Sequence, residues 1–102
     1  PNNENHLVER VLKAFQVSAA RLRPQAAAAR AGGDLPALRL VAHTLKSSSA
    51  SIGALRLSQI CAQIETSIRE ADTADIDTRL DAFDRALDDA LAAIEARLKG
   101  GG

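Results

Sequence analysis

The chain has 102 residues, 46% of them hydrophobic, which supplies one ordinary core and not two. Thirteen basic and thirteen acidic side chains cancel, and Phe15 and Phe83 are the only Phe, Tyr or Trp residues, so neither charge nor stacking points to nucleic acid. The charge is unevenly placed, with eight basic and three acidic groups in residues 1–56 and five and ten in residues 57–99. That split suits either the steering of an acidic partner toward the first half or helix faces that neutralise one another.

Apolar spacing places the first helical region at Glu4 to Ala31, with Leu7, Val11, Phe15, Ala19, Leu22, Ala26 and Ala29 on one stripe before Gly32-Gly33. Ser18 is a candidate cap for a restart inside it, leaving an additional N-terminal helical segment ahead of the bundle. Pro24 removes the ladder bond to the carbonyl of Ala20 and either kinks the region or lies on its outer side; the long stripe favours a kink.

Asp34 is a good N-cap for a helix reaching about Ile52, with Pro36 tolerated in the first turn and Gly53 placed to end it. Leu57, Ile60, Cys61, Ile64 and Ile68 mark the next helix, and the polar stretch Asp72 to Asp75 is the turn after it. Ile76, Leu80, Phe83, Leu87, Leu91, Ile94 and Leu98 then repeat every three or four residues. No alternating strand pattern or hairpin signal occurs. The expected fold is all-α, an antiparallel four-helix bundle with an additional N-terminal helical segment, forming a single domain over residues 1–99 with a flexible glycine tail at 100–102.

Cys61 sits in an apolar stripe and has no partner for an internal disulfide, which fits a reduced, cytoplasmic setting. No apolar stretch approaches the roughly 20 residues that span a bilayer, and no signal-peptide pattern opens the chain, so no direct membrane contact is expected. The start at Pro1 and the glycine-rich end suggest a segment of a longer polypeptide.

The segment His43-Thr44-Leu45-Lys46-Ser47-Ser48-Ser49 lies inside the second helix. At 100° per residue, Leu38, Val41, Leu45 and Ile52 fall within about 40° of the side opposite His43, so burying them turns the imidazole outward. Pro36, Arg39, Lys46, Ser47 and Ala50 share its face, with Leu40 at the edge. A lone surface histidine is ordinarily just solvated. Here a cation one turn on suits a dianionic phosphoryl group, and Ser47 and Ala50 leave little bulk above the helix. Arg39, Leu40, Ser47 and Ala50 therefore form a candidate docking face for another protein.

A reversal near Gly53 brings His43 level with Ile64 and Glu65. Ile64 belongs to the core stripe, and Glu65 stands one position round from it. Its carboxylate there is placed to accept from Nδ1 of His43, holding the tautomer whose Nε2 is free to attack phosphorus. Spacing alone serves equally well for an ordinary surface pair between Glu65 and Arg69.

His43-x-Leu45-Lys46-Ser47-Ser48 with Gly53-Ala54, preceded by Gly33-Asp34 and followed by Leu57, Cys61 and Glu65, resembles the histidine phosphotransfer (HPt) domain of bacterial multistep phosphorelays. The likeness runs without a gap from Phe15 to Glu65; the last helix shares only its apolar period. It implies a four-helix bundle whose exposed His43 is phosphorylated at Nε2, with Lys46 stabilising the phosphoryl group and Glu65 contacting the ring. The clipped ends favour, over a free-standing carrier, the C-terminal module of a hybrid sensor histidine kinase, a parent that the inner membrane can anchor. Ser47 departs from the family pattern, which has glycine after the lysine to ease the partner's approach.

On this reading the domain is a phosphocarrier, accepting a phosphoryl group from the aspartate of one response-regulator receiver domain and passing it to another. The receiver supplies Mg²⁺ and its own lysine, and this chain needs no cofactor. With no glycine-rich phosphate loop, autonomous use of ATP is not expected, so the domain is a phosphotransfer intermediate and not a free-standing enzyme. Receivers, and other domains of the same polypeptide, are the expected partners, and a monomer is the expected state. The competing reading is a helical docking or dimerisation module with no phosphotransfer activity. Metal binding and a hydrolase triad have less support, since no Cys-x-x-Cys or His-x-x-x-His spacing occurs and Ser48 and Ser49 point toward the core.

Overall fold

Three helix ends built alike divide the chain into four helices. The computed structural model describes residues 3–100, with side chains from residue 6. The helices are α1 (Asn3–Gly32), α2 (Leu35–Ser51), α3 (Leu55–Arg69) and α4 (Ile76–Gly100). At the ends of α1, α2 and α3 one residue turns to positive φ: Gly33 at 68°, Gly53 at 80° and Ala71 at 56°. The amide that follows reaches back five residues, from Asp34 to the Ala29 carbonyl at 2.8 Å, and from Ala54 to Ser49 and Asp72 to Ser67 at 2.9 Å each. This is the Schellman arrangement, which satisfies carbonyls left open at a helix end. Asp34 then begins α2 directly, its carboxylate accepting the Ala37 N–H at 3.2 Å with Pro36 in the first turn.

α1 runs as one helix through Ser18, with no restart there, so the additional N-terminal helical length expected ahead of the bundle is the beginning of α1. Pro24 lies on the exposed side, and Ala20, whose carbonyl loses its partner, is exposed to water as well. Packing of Ala19, Leu22, Ala26 and Ala29 on both sides of the proline outweighs one lost hydrogen bond. At the other terminus Gly100 is the last residue of α4 and not part of a tail, and residues 101–102 lie outside the described residues.

The core runs along all four helices, with Phe15 and Leu22 from α1, Leu45 from α2, Leu57 and Ile64 from α3, and Phe83 and Leu87 from α4. Each such side chain contributes about 1.5–3 kcal/mol by leaving water. α2 packs most extensively on α3, and of the helix pairs that touch, α1 and α4 do so least. Ion pairs lace that last contact: Arg23 meets Asp88 at 2.7 Å, and Arg30 meets Asp81 at 3.0 Å and Asp77 at 3.3 Å. Asp81, with Asp77, holds the Arg30 guanidinium even more firmly protonated than usual. Part of the charge asymmetry between the halves is thus neutralised within the bundle. No described helix is long and apolar enough to cross a membrane.

Candidate functional site

α2 and α3 are antiparallel neighbours joined by the short turn at Gly53, and this register sets the site. Leu38, Val41, Ala42 and Leu45 are buried, which leaves His43 on the far side of α2 with its side chain 61% exposed. On α3, Glu65 follows the buried Ile64 and is drawn inward with it, its side chain only 9% exposed. It faces α2 and makes no pair with Arg69.

The Glu65 carboxylate bridges two residues of α2. Oε2 lies 2.7 Å from Nδ1 of His43, and Oε1 accepts from Nζ of Lys46 at 2.6 Å. Lys46 holds the Glu65 carboxyl below the ordinary value of 4.5; burial opposes this shift, and the bond from His43 adds to it. An ionised carboxylate only accepts, so the proton in the 2.7 Å bond belongs to Nδ1, and Nε2 is the ring nitrogen without a hydrogen-bond partner among the described residues. Lys46 therefore does not point freely at solvent. Its ammonium spends one N–H on Glu65 and keeps two for another anion.

Ser58 belongs to this constellation and was not singled out by sequence. Two turns before Glu65 on the same face of α3, it donates from Oγ to the Lys46 carbonyl at 2.9 Å, fixing α3 against α2. Its spacing from Glu65 was the available signal. The hydroxyls of α2 other than that of Ser47 are spent within the helix: Thr44 donates to the Leu40 carbonyl, Ser48 to Thr44, Ser49 to Leu45 and Ser51 to Ser47.

A groove of about 410 Å³ opens beside the ring, lined by Pro36, Arg39, Leu40, His43 and Glu65. Leu40 is 65% exposed, and Arg39, Ser47 and Ala50 are exposed as well. The candidate docking residues thus surround His43 on one surface. Cys61 is buried beneath it, its thiol pushed up to about 12 chiefly by burial and further by Glu65. His43 and Glu65 are not joined by a third metal-ligating group among the described residues.

The Hpt domain family model matches residues 10–97, from the second turn of α1 to the last turn of α4. The chain belongs to this family, whose members carry phosphoryl groups in two-component phosphorelays. Comparison with curated proteins and with solved structures returns no match.

Proposed function

We propose that this domain accepts a phosphoryl group on Nε2 of His43 from the aspartyl phosphate of a receiver domain and returns it to the aspartate of another. The observation that carries the reading is the exposed imidazole beside a groove, its Nδ1 lying 2.7 Å from the Glu65 carboxylate, which leaves Nε2 as the nitrogen available to a partner. The Nε2 lone pair forms the new N–P bond as the acyl-phosphate P–O bond breaks and the carboxylate leaves. No proton has to move, because Nδ1 keeps its proton throughout and Glu65 balances the positive charge that the ring acquires.

Lys46 extends its two remaining N–H groups toward the phosphoryl oxygens without leaving Glu65. Leu40, Ser47 and Ala50 admit the receiver, which brings Mg²⁺ and its own lysine. A purely docking or dimerisation module leaves unexplained why a carboxylate that sits in the core boundary is spent on orienting a surface histidine.

Incubation with a phosphorylated receiver domain and Mg²⁺ tests this. An acid-labile, base-stable label is expected on the wild type and none on His43→Gln; label that persists in the variant removes His43 from the role. ¹⁵N spectra of the ring in Glu65→Ala separately test the orientation, and a tautomer unchanged by that substitution counts against it.

A further inference from the structure

Helical side chains lean toward the N-terminus of their helix, so the ring of His43 projects over the turn that carries Arg39 and Leu40. The groove opens on that side, and its lining includes Arg39 but not Lys46. Lys46 stands one turn after His43 with its ammonium tied to Glu65 at 2.6 Å. Arg39, one turn before His43, is exposed and makes no ion pair and no side-chain hydrogen bond among the described residues. Arg23 and Arg30 of α1, in contrast, are each held by aspartates of α4.

We propose that Arg39 is a second oxyanion-binding residue of the phosphorylated domain, its guanidinium taking phosphoryl oxygens on Nε2 of His43 from the groove side, opposite Lys46. This assignment rests on the phosphocarrier reading. The free ring offers Arg39 no negative charge to hold. Phosphorylation adds nearly two, on three acceptor oxygens that match the planar guanidinium fork. A contact that forms only as the phosphoryl group arrives speeds its acquisition and slows its hydrolysis, whereas a contact to a receiver does neither when no receiver is present.

The test therefore uses phosphoramidate, a donor without protein. Nε2 of His43 bonds to phosphorus, the P–N bond of the donor breaks, and its protonated amine leaves as ammonia. Wild type, Arg39→Ala and Arg39→Lys are labelled in parallel and followed by ³¹P NMR. Arg39→Ala is expected to label about three- to tenfold more slowly. Its phosphohistidine should hydrolyse faster, and the phosphoryl titration midpoint should rise by about half a unit. Arg39→Lys should recover part of each change. Equal rates, lifetimes and midpoints in wild type and Arg39→Ala overturn the assignment and return Arg39 to docking alone. A wild type that takes no label on His43 overturns the phosphocarrier reading itself, and this inference with it.

Discussion

Nδ1 of His43 and Oε2 of Glu65 lie 2.7 Å apart, yet the first belongs to a side chain mostly in water and the second to one almost wholly withdrawn from it. The pairing joins an exposed imidazole to a carboxylate held at the edge of the core. Glu65 is anchored three ways: by the burial of Ile64 beside it, by Lys46 on its other oxygen, and by Ser58 tying the same face of α3 to the Lys46 carbonyl. The orientation of the ring thus depends on the α2–α3 interface and not on the surface loop chemistry that commonly presents functional side chains.

Acid should weaken that interface in a defined direction. The folded-state pKa of Glu65 is depressed below 4.5, so its stabilisation is fully present above that value and is lost as pH falls through the folded value. Urea denaturation of wild type and Glu65→Gln checks this. The advantage of wild type is expected to be largest near about pH 6 and to shrink toward about pH 3. The same difference at both values would mean that the carboxylate's charge contributes nothing to folding.

Cys61 should be inert while the bundle is folded. Burial, with the charge of Glu65 nearby, pushes its thiol up to about 12, so little thiolate exists at neutral pH and little of it is accessible. Alkylation by iodoacetamide is expected to run at least about a hundredfold slower than for a free thiol and to reach the free rate in denaturant. Rapid native labelling would place Cys61 nearer the surface than the core of α3.

The helix ends carry opposite expectations. Gly53 and Ala71 share positive φ, at 80° and 56°, and open space surrounds the position where a Cβ on Gly53 would lie. Gly53→Ala therefore incurs only the backbone cost, about 1 kcal/mol, and Ala71→Gly gains somewhat less than that because its flexibility also favours the unfolded chain. Thermal denaturation should move down for the first and up for the second. A destabilised Ala71→Gly would show that the left-handed turn at Ala71 carries little strain.

Much of this architecture was legible because the residues at stake have strong local signatures. Asp34, Pro36 and Gly53 bound α2 by capping chemistry that needs no tertiary information, and apolar spacing places Leu45, Ile64 and Leu87 in the core. The register across Gly53 follows from the short turn, which is why Glu65 could be set level with His43. The end of α3 was blurred because alanine, at Ala71, occupies a conformation that glycine normally announces. Continuity of α1 past Pro24 was legible in the apolar stripe on both sides of it, because packing of that stripe outweighs the one lost hydrogen bond that propensity counts. The engagement of Lys46 by Glu65 depends on side-chain reach between helices, which periodicity does not encode.

Ser47 separates chemistry from access. It is exposed one turn from His43 and holds no side-chain hydrogen bond of its own, its carbonyl alone accepting from Ser51. Ser47→Leu places bulk on the docking face while slightly improving helix propensity, so stability should stay within about 0.5 kcal/mol of wild type. If a receiver approaches His43 across this face, transfer from a phosphorylated receiver falls at least about tenfold, because reacting atoms must come to roughly 3 Å, while labelling by phosphoramidate is unchanged. Ser47→Gly restores the smallest residue there and should transfer at least as fast as wild type, with about 0.5 kcal/mol less stability. Loss of both reactions in Ser47→Leu would implicate the ring's own environment, and retention of both would mean that the receiver docks from the Arg39–Leu40 side alone.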